Sequence, residues 1–185
     1  RFLTRTGWWG ERLLADWLIR RRGPVVLSGP SAVAAERAEE TDSVVLAARH
    51  NGYGPEFGIV HERRWQLFHA TARLEGRDAF LRQGKGLSRG RRLRPQDVAI
   101  RFHLHPGIAV RSIPEGLELA SALGEIWTFR AENAAIAIEE SVYFSGLTGP
   151  RRTDQIVLHL RVADDVEVRW TFERQASAPL RGVAP

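Results

Sequence analysis

The 185-residue chain has no cysteine. Disulfides, thiolate metal sites and cysteine nucleophiles are therefore excluded, although this absence does not identify a compartment. Methionine is also missing and the chain opens Arg-Phe-Leu, so the expectation is a piece of something longer. Lysine occurs once, at Lys85. No apolar run reaches the ~20 residues of a membrane-spanning helix, and there is no signal-peptide pattern. The Gly-x-Ser-x-Gly of serine hydrolases, the P-loop and a Gly-x-Gly-x-x-Gly after a strand are all missing. Glu139 and Glu140 are adjacent, but neighbours on a strand face opposite ways and cannot flank one bond.

What remains is a composition of ordinary globular type, 43% hydrophobic and 26% charged. The net charge is +5, carried almost wholly by arginine. Arginine suits bidentate pairing with carboxylate, sulfate or phosphate. Basic residues are dispersed without the aromatic interleaving of a single-strand nucleic-acid groove, so no nucleic-acid partner is expected.

One helix is predicted. Trp9, Leu13 and Trp17 recur at i, i+4 and i+8 over residues 7–22, with Leu14 and Leu18 beside them, giving one apolar face. Arg20, Arg21 and Arg22 suit its C-terminal end, and Gly23-Pro24 stops it. Thereafter strands follow at regular spacing: Val25–Leu27, Val33–Glu39, Ser43–His50, Phe57–Phe68, a short pair within Thr71–Phe80, Asp97–Pro106, Ile108–Ile113, Gly116–Ala120, Ile126–Phe129, Ala135–Tyr143, Gln155–Val162 and Val166–Phe172. Asn51–Pro55 has turn chemistry, and residues 83–96 read as a long exposed loop. With no helices between the strands, the fold class is mostly β: an antiparallel β-sandwich with one short N-terminal amphipathic helix. The expected organisation is a helical lead-in over 1–23, a sandwich over 24–174 and a frayed tail over 175–185.

The chemistry-bearing stretch is Asp97–Pro106. Alternation turns Ile100, Phe102 and Leu104 one way and Arg101, His103 and His105 the other, with the two imidazoles about 6.6 Å apart along the strand. Such a pair can share a metal or line a polar groove; the plainer reading is a half-exposed strand. His50 ends another strand at the Asn51-Gly52 turn, where functional groups are commonly exposed. Asn51 and Tyr53 beside it could bond a sugar or tune the imidazole.

Taken together, several segments resemble the heparinase II/III-like family in its C-terminal β-sandwich region. They are Leu27-Ser-Gly-Pro-Ser-Ala-Val33, Ala48-Arg-His-Asn-Gly-Tyr53, Phe57-Gly-Ile-Val-His-Glu-Arg63, Leu74-Glu-Gly-Arg-Asp78, Ile100-Arg-Phe-His-Leu-His-Pro106, Glu139-Glu-Ser-Val-Tyr143 and Arg151-Arg-Thr-Asp-Gln-Ile-Val157, in family order. The resemblance implies a polysaccharide lyase that cleaves uronic-acid-containing glycans by β-elimination, in a groove between this sandwich and an upstream α/α toroid that these residues lack. It implies that the toroid supplies the main catalytic Tyr, His and Asn, so this piece alone would be inactive. It implies a catalytic role for His50, substrate contacts from Asn51, Tyr53, Arg101 and His103, and a structural zinc held by His50, Asp78 and His105. Asn51 departs from the Asp expected in many relatives. The implied partners are an anionic polysaccharide and the toroid, with no membrane partner, and the implied setting is the bacterial cell envelope or periplasm. The alternative is a non-catalytic sandwich module that packs on a helical domain or binds anionic glycan through arginine.

Overall fold

The computed structural model describes residues 21, 30–83, 94–145 and 149–175. The helix predicted over 7–22 lies outside them except for Arg21, which is helical. The strand predicted at Val25–Leu27, residues 84–93 of the predicted loop and residues 176–185 of the predicted tail also lie outside. By compactness the chain divides into Arg1–Pro30 and Ser31–Pro185.

The described residues of the second unit form eleven strands: β1 Val33–Glu39, β2 Ser43–His50, β3 Ile59–Phe68, β4 Arg73–Arg82, β5 Gln96–His103, β6 Ile108–Ile113, β7 Gly116–Ser121, β8 Ile126–Glu132, β9 Ala135–Ser145, β10 Gly149–Val162 and β11 Val166–Arg174. One four-residue helix, α1 Gly54–Phe57, sits between β2 and β3. Eight strands form one antiparallel sheet in the order β1-β2-β3-β4-β11-β8-β7-β6, and β5-β10-β9 form a second. Their facing sides share one core. Ile59, Phe80, Leu117, Leu119, Phe129, Val168 and Trp170 come from the large sheet, and Ile100, Ile156, Leu158 and Val162 from the small one.

Alternation along the His-x-His strand is as the pattern predicts: Ile100 is buried while Arg101 and His103 are exposed. β5 ends at His103, so His105 lies in the following turn. Two local differences have simple causes. Phe57 falls in α1 because Pro55 presets helical φ at the start of that turn, and Gly58 ends it in the left-handed region at φ 64°. The pair expected within Thr71–Phe80 is the single strand β4, entered through Ala72 at φ 45°.

The two sheets differ in width. At ~4.8 Å per strand, eight strands span about 34 Å and three about 10 Å. The small sheet cannot cover the large one. Accordingly every residue of β1 is exposed, while β4 carries four buried residues. The inner face therefore grades from wet at β1 to dry at β4 and β11.

Candidate functional site

The register of the large sheet aligns side chains in rows across its inner face. One row runs His50, His61, Phe80, Val166. The next runs Ala48, Arg63, Asp78, Val168, and the third Leu46, Trp65, Gly76, Trp170. These rows bring together groups from four strands that are up to 120 positions apart in sequence (50 to 170).

Asp78 is the anchor, with a fully buried side chain. Its Oδ1 accepts from Arg63 Nε at 2.5 Å and from His61 Nε2 at 2.6 Å. Its Oδ2 accepts from Trp170 Nε1 at 2.8 Å. Gly76 makes the last bond possible, because the indole lies directly over it where any Cβ would stand. Burial works to raise the Asp78 pKa, but the hydrogen bonds from His61, Arg63 and Trp170 and the charge of Arg63 outweigh it and hold the carboxyl below its ordinary value.

From Asp78 the network leads outward. His61 stacks on Phe80 with ring centroids 4.8 Å apart. Its Nδ1 lies 3.2 Å from His50 Nε2. Gly52 N–H donates to His50 Nδ1 at 3.2 Å. That contact fixes the tautomers. Nδ1 of His50 is an acceptor, so the neutral ring carries its proton on Nε2 and donates it to His61 Nδ1; His61 then donates from Nε2 to Asp78. Burial, followed by the neighbouring His61 and the charge of Arg63, holds the His50 pKa below its ordinary value. The chain ends at Tyr53, which sits edge-on to His50 at 5.2 Å and is half exposed. A neutral, oriented imidazole beside a phenol at a wet rim is equipped to accept one proton and donate another.

The sequence-predicted residues divide between two places. His50, Tyr53 and Asp78 belong to this network. Asn51 is next to it, but its side chain is taken up elsewhere: Oδ1 accepts from Ser31 and Ala32 N–H at 3.1 and 3.0 Å, and Nδ2 donates to Ser31 Oγ at 2.8 Å. Arg101 and His103 are on the small sheet, and His105 lies in the turn that follows β5. Arg101 pairs with Glu139 at 2.9 Å, and His103 Nδ1 meets Ser141 Oγ at 2.7 Å. His105 Nδ1 accepts from Gly107 N–H at 3.1 Å, and its ring lies edge-on to Tyr143 at 5.1 Å. A cleft of about 210 Å³ beside Tyr53 is lined by the start of β5, Gln96 to Ala99. His103 lies about 13–23 Å further along that strand, and His105 follows it in the turn. The structure therefore does not bring His50, Asp78 and His105 together. The zinc set read from the resemblance does not fit: the Asp78 oxygens hold three donors, His61 bridges Asp78 and His50, and among the described residues no group of three His, Cys, Asp or Glu could hold a metal ion.

Sequence reasoning missed His61, Arg63 and Trp170. The alternation that put Ile59, His61, Arg63 and Trp65 on one face was the available signal: a histidine and an arginine on a core face require a buried acid.

The fold and network define an antiparallel two-sheet domain with a buried carboxylate–imidazole relay. Residues 5–171 match the family described as "Heparinase II/III-like, C-terminal". The chain belongs to this family. Among curated proteins it is 30% identical over 173 residues to "FtsZ-localized protein C" of Caulobacter vibrioides, covering 88% of this chain and 29% of that protein. Among solved structures it resembles heparan sulfate lyase HepC from Pedobacter heparinus, with a TM-score of 0.60 at 9% identity, covering 93% of this chain and 27% of that one. It also resembles Heparinase III, with a TM-score of 0.55 at 11% identity, covering 78% of this chain and 21% of that one. At such identities these structures establish the fold alone. The chain spans less than a third of the length of each. Among the described residues no helix is long and apolar enough to cross a membrane.

Proposed function

We propose that this domain is the β-sandwich half of a heparinase II/III-like polysaccharide lyase and contributes His50 and Tyr53 to a groove where a uronic-acid-containing glycan undergoes β-elimination. The observation that carries the reading is the buried Asp78–His61–His50 relay ending beside Tyr53 at an exposed rim. Removal of the uronate C5 proton needs a base that is unprotonated at working pH, and the lowered pKa of His50 favours that form. When the Gly52 N–H contact opens and Nδ1 takes that proton, Nε2–H can pass to His61 Nδ1 while the Nε2–H of His61 moves toward the Asp78 carboxylate. Tyr53 is the group placed to contact the sugar or protonate the leaving oxygen. The remaining catalytic groups belong to a helical domain of the same protein, and the setting is the bacterial cell envelope or periplasm.

The test uses the full-length parent with heparan sulfate, hyaluronan and alginate, following the ultraviolet absorbance of the unsaturated uronate product. Activity on one polymer that falls about 10²–10⁴-fold in His50→Ala supports the reading. Activity untouched by His50→Ala removes His50 from the reaction.

A second reading is a non-catalytic module that packs on a partner domain or binds anionic glycan without chemistry. It is favoured by one observation: both nitrogens of His50 already have internal partners. The relative's printed name, a protein localised with FtsZ, suits this reading equally. No product from any polymer, with retained glycan binding, selects it.

A further inference from the structure

The fold family implies a metal near this network, and the donor set points elsewhere. A buried carboxylate needs a compensating positive charge and saturated lone pairs. Asp78 has both from within the chain. Arg63 faces it directly across the β3–β4 ladder and donates Nε–H at 2.5 Å. Trp170 closes the other oxygen from β11. The imidazoles that could ligate a metal are in use as well: His61 binds Asp78 through Nε2 and faces His50 through Nδ1, and His50 Nδ1 is met by Gly52. A metal binding Asp78 would have to displace a guanidinium, an imidazole or an indole from a side chain with no solvent exposure.

We infer that Arg63 is a built-in cation for Asp78, the carboxylate that the resemblance assigns to zinc, so that this sandwich is held by a guanidinium–carboxylate–indole cluster and folds independently of zinc. The roles follow from chemistry. Arg63 provides the charge and cannot be deprotonated in a protein. Trp170 provides a donor whose ring is itself part of the core. His61 transmits the orientation to His50. This inference stands whether or not any glycan is cleaved.

The experiment measures zinc content and thermal melting of the full chain after dialysis against zinc, with and without chelator, alongside three variants. The expected results are no stoichiometric zinc, a melting temperature unmoved by chelator, and a clear drop in melting temperature for Arg63→Met. Arg63→Lys keeps the charge but loses the directed Nε donor and should fall between. Combining Arg63→Met with Asp78→Asn removes both charges and should recover most of what Arg63→Met lost. One zinc per chain whose removal lowers the melting temperature overturns the inference. So does an Arg63→Met chain that melts like the parent. If Arg63→Met does not fold, the double variant decides: a folded chain supports the cation role and an unfolded one refutes it.

Discussion

Replacing Gly76 by alanine tests how the buried site is held. The added Cβ would lie 2.0 Å from Trp170 Cζ2, 2.1 Å from Cε2 and 2.4 Å from Cη2. No real contact is that short, so the indole must lift off β4. In lifting, it carries Nε1 away from Asp78 Oδ2. Overpacking of this kind costs about 1–3 kcal/mol. Loss of a hydrogen bond to a buried charged group adds about 1.5–3 kcal/mol. Against this, alanine restricts the unfolded chain and returns about 0.4–1 kcal/mol. The net expectation is a destabilisation of about 2–5 kcal/mol. At about 2–4 °C per kcal/mol for a domain of this size, the melting temperature should fall by roughly 5–20 °C. The assay is denaturant unfolding with tryptophan fluorescence, with Trp170→Phe as companion. That variant loses the N–H together with the outer ring that lies over Gly76, so its cost should be the hydrogen-bond part of about 1.5–3 kcal/mol plus a cavity contribution. A Gly76→Ala chain that melts within about 2 °C of the parent would refute the claim that the indole is pinned between Gly76 and Asp78.

The site also makes stability fall with acid in two windows. His50 protonates near its ordinary 6.5 in the unfolded chain but lower in the folded one, so stability declines as pH drops below 6.5 toward the folded value; Asp78 stays ionised below its ordinary 3.8 when folded, so its contribution is present above 3.8 and is lost as pH falls through the folded value. Melting curves against pH should lose the first decline in His50→Gln and the second in Asp78→Asn, and curves that keep both declines would contradict the assignment. Asn51→Ala should cost about 1 kcal/mol and speed amide hydrogen exchange at Ser31 and Ala32, the two N–H groups it caps, whereas Asn51→Asp keeps that acceptor and should be close to neutral. Unchanged exchange at both amides in Asn51→Ala would refute the capping role.

The parts of this structure that depend on local pattern are readable from sequence. β1, β2 and β6 begin and end at the residues expected from sequence. The inward set Ile100 and Leu104 follows from period two alone. The site is harder, because its members meet through register. His50 meets His61 only because β2 pairs β3 in one particular frame, and Asp78 meets Trp170 only because β11 returns beside β4. A one-residue slip would put each on the other face. Trp170 is core, but the aim of its N–H is decided by a glycine 94 positions earlier (170 to 76). The family resemblance groups His105 with His50, while the chain puts His50 in the large sheet and His105 in the turn that follows β5 of the small one.

The bond from Trp170 to Asp78 closes across 92 positions, and this has a consequence for the nascent chain. β1 to β4 leave the ribosome before the other strands and can pair at once as a meander, since each strand binds the next. At that stage Asp78 and Phe80 face a core that does not yet exist, and β4 presents an unpaired edge. β11, which covers that edge, is made last of all the strands. The interval is several seconds at ~5–20 residues per second. Throughout it Arg63 is the partner already at hand for Asp78, one strand away in a hairpin that forms early. The cluster thus assembles in a set order, guanidinium first and indole last, and any chain cut before Val166 would leave the carboxylate half-clothed on an open sheet edge.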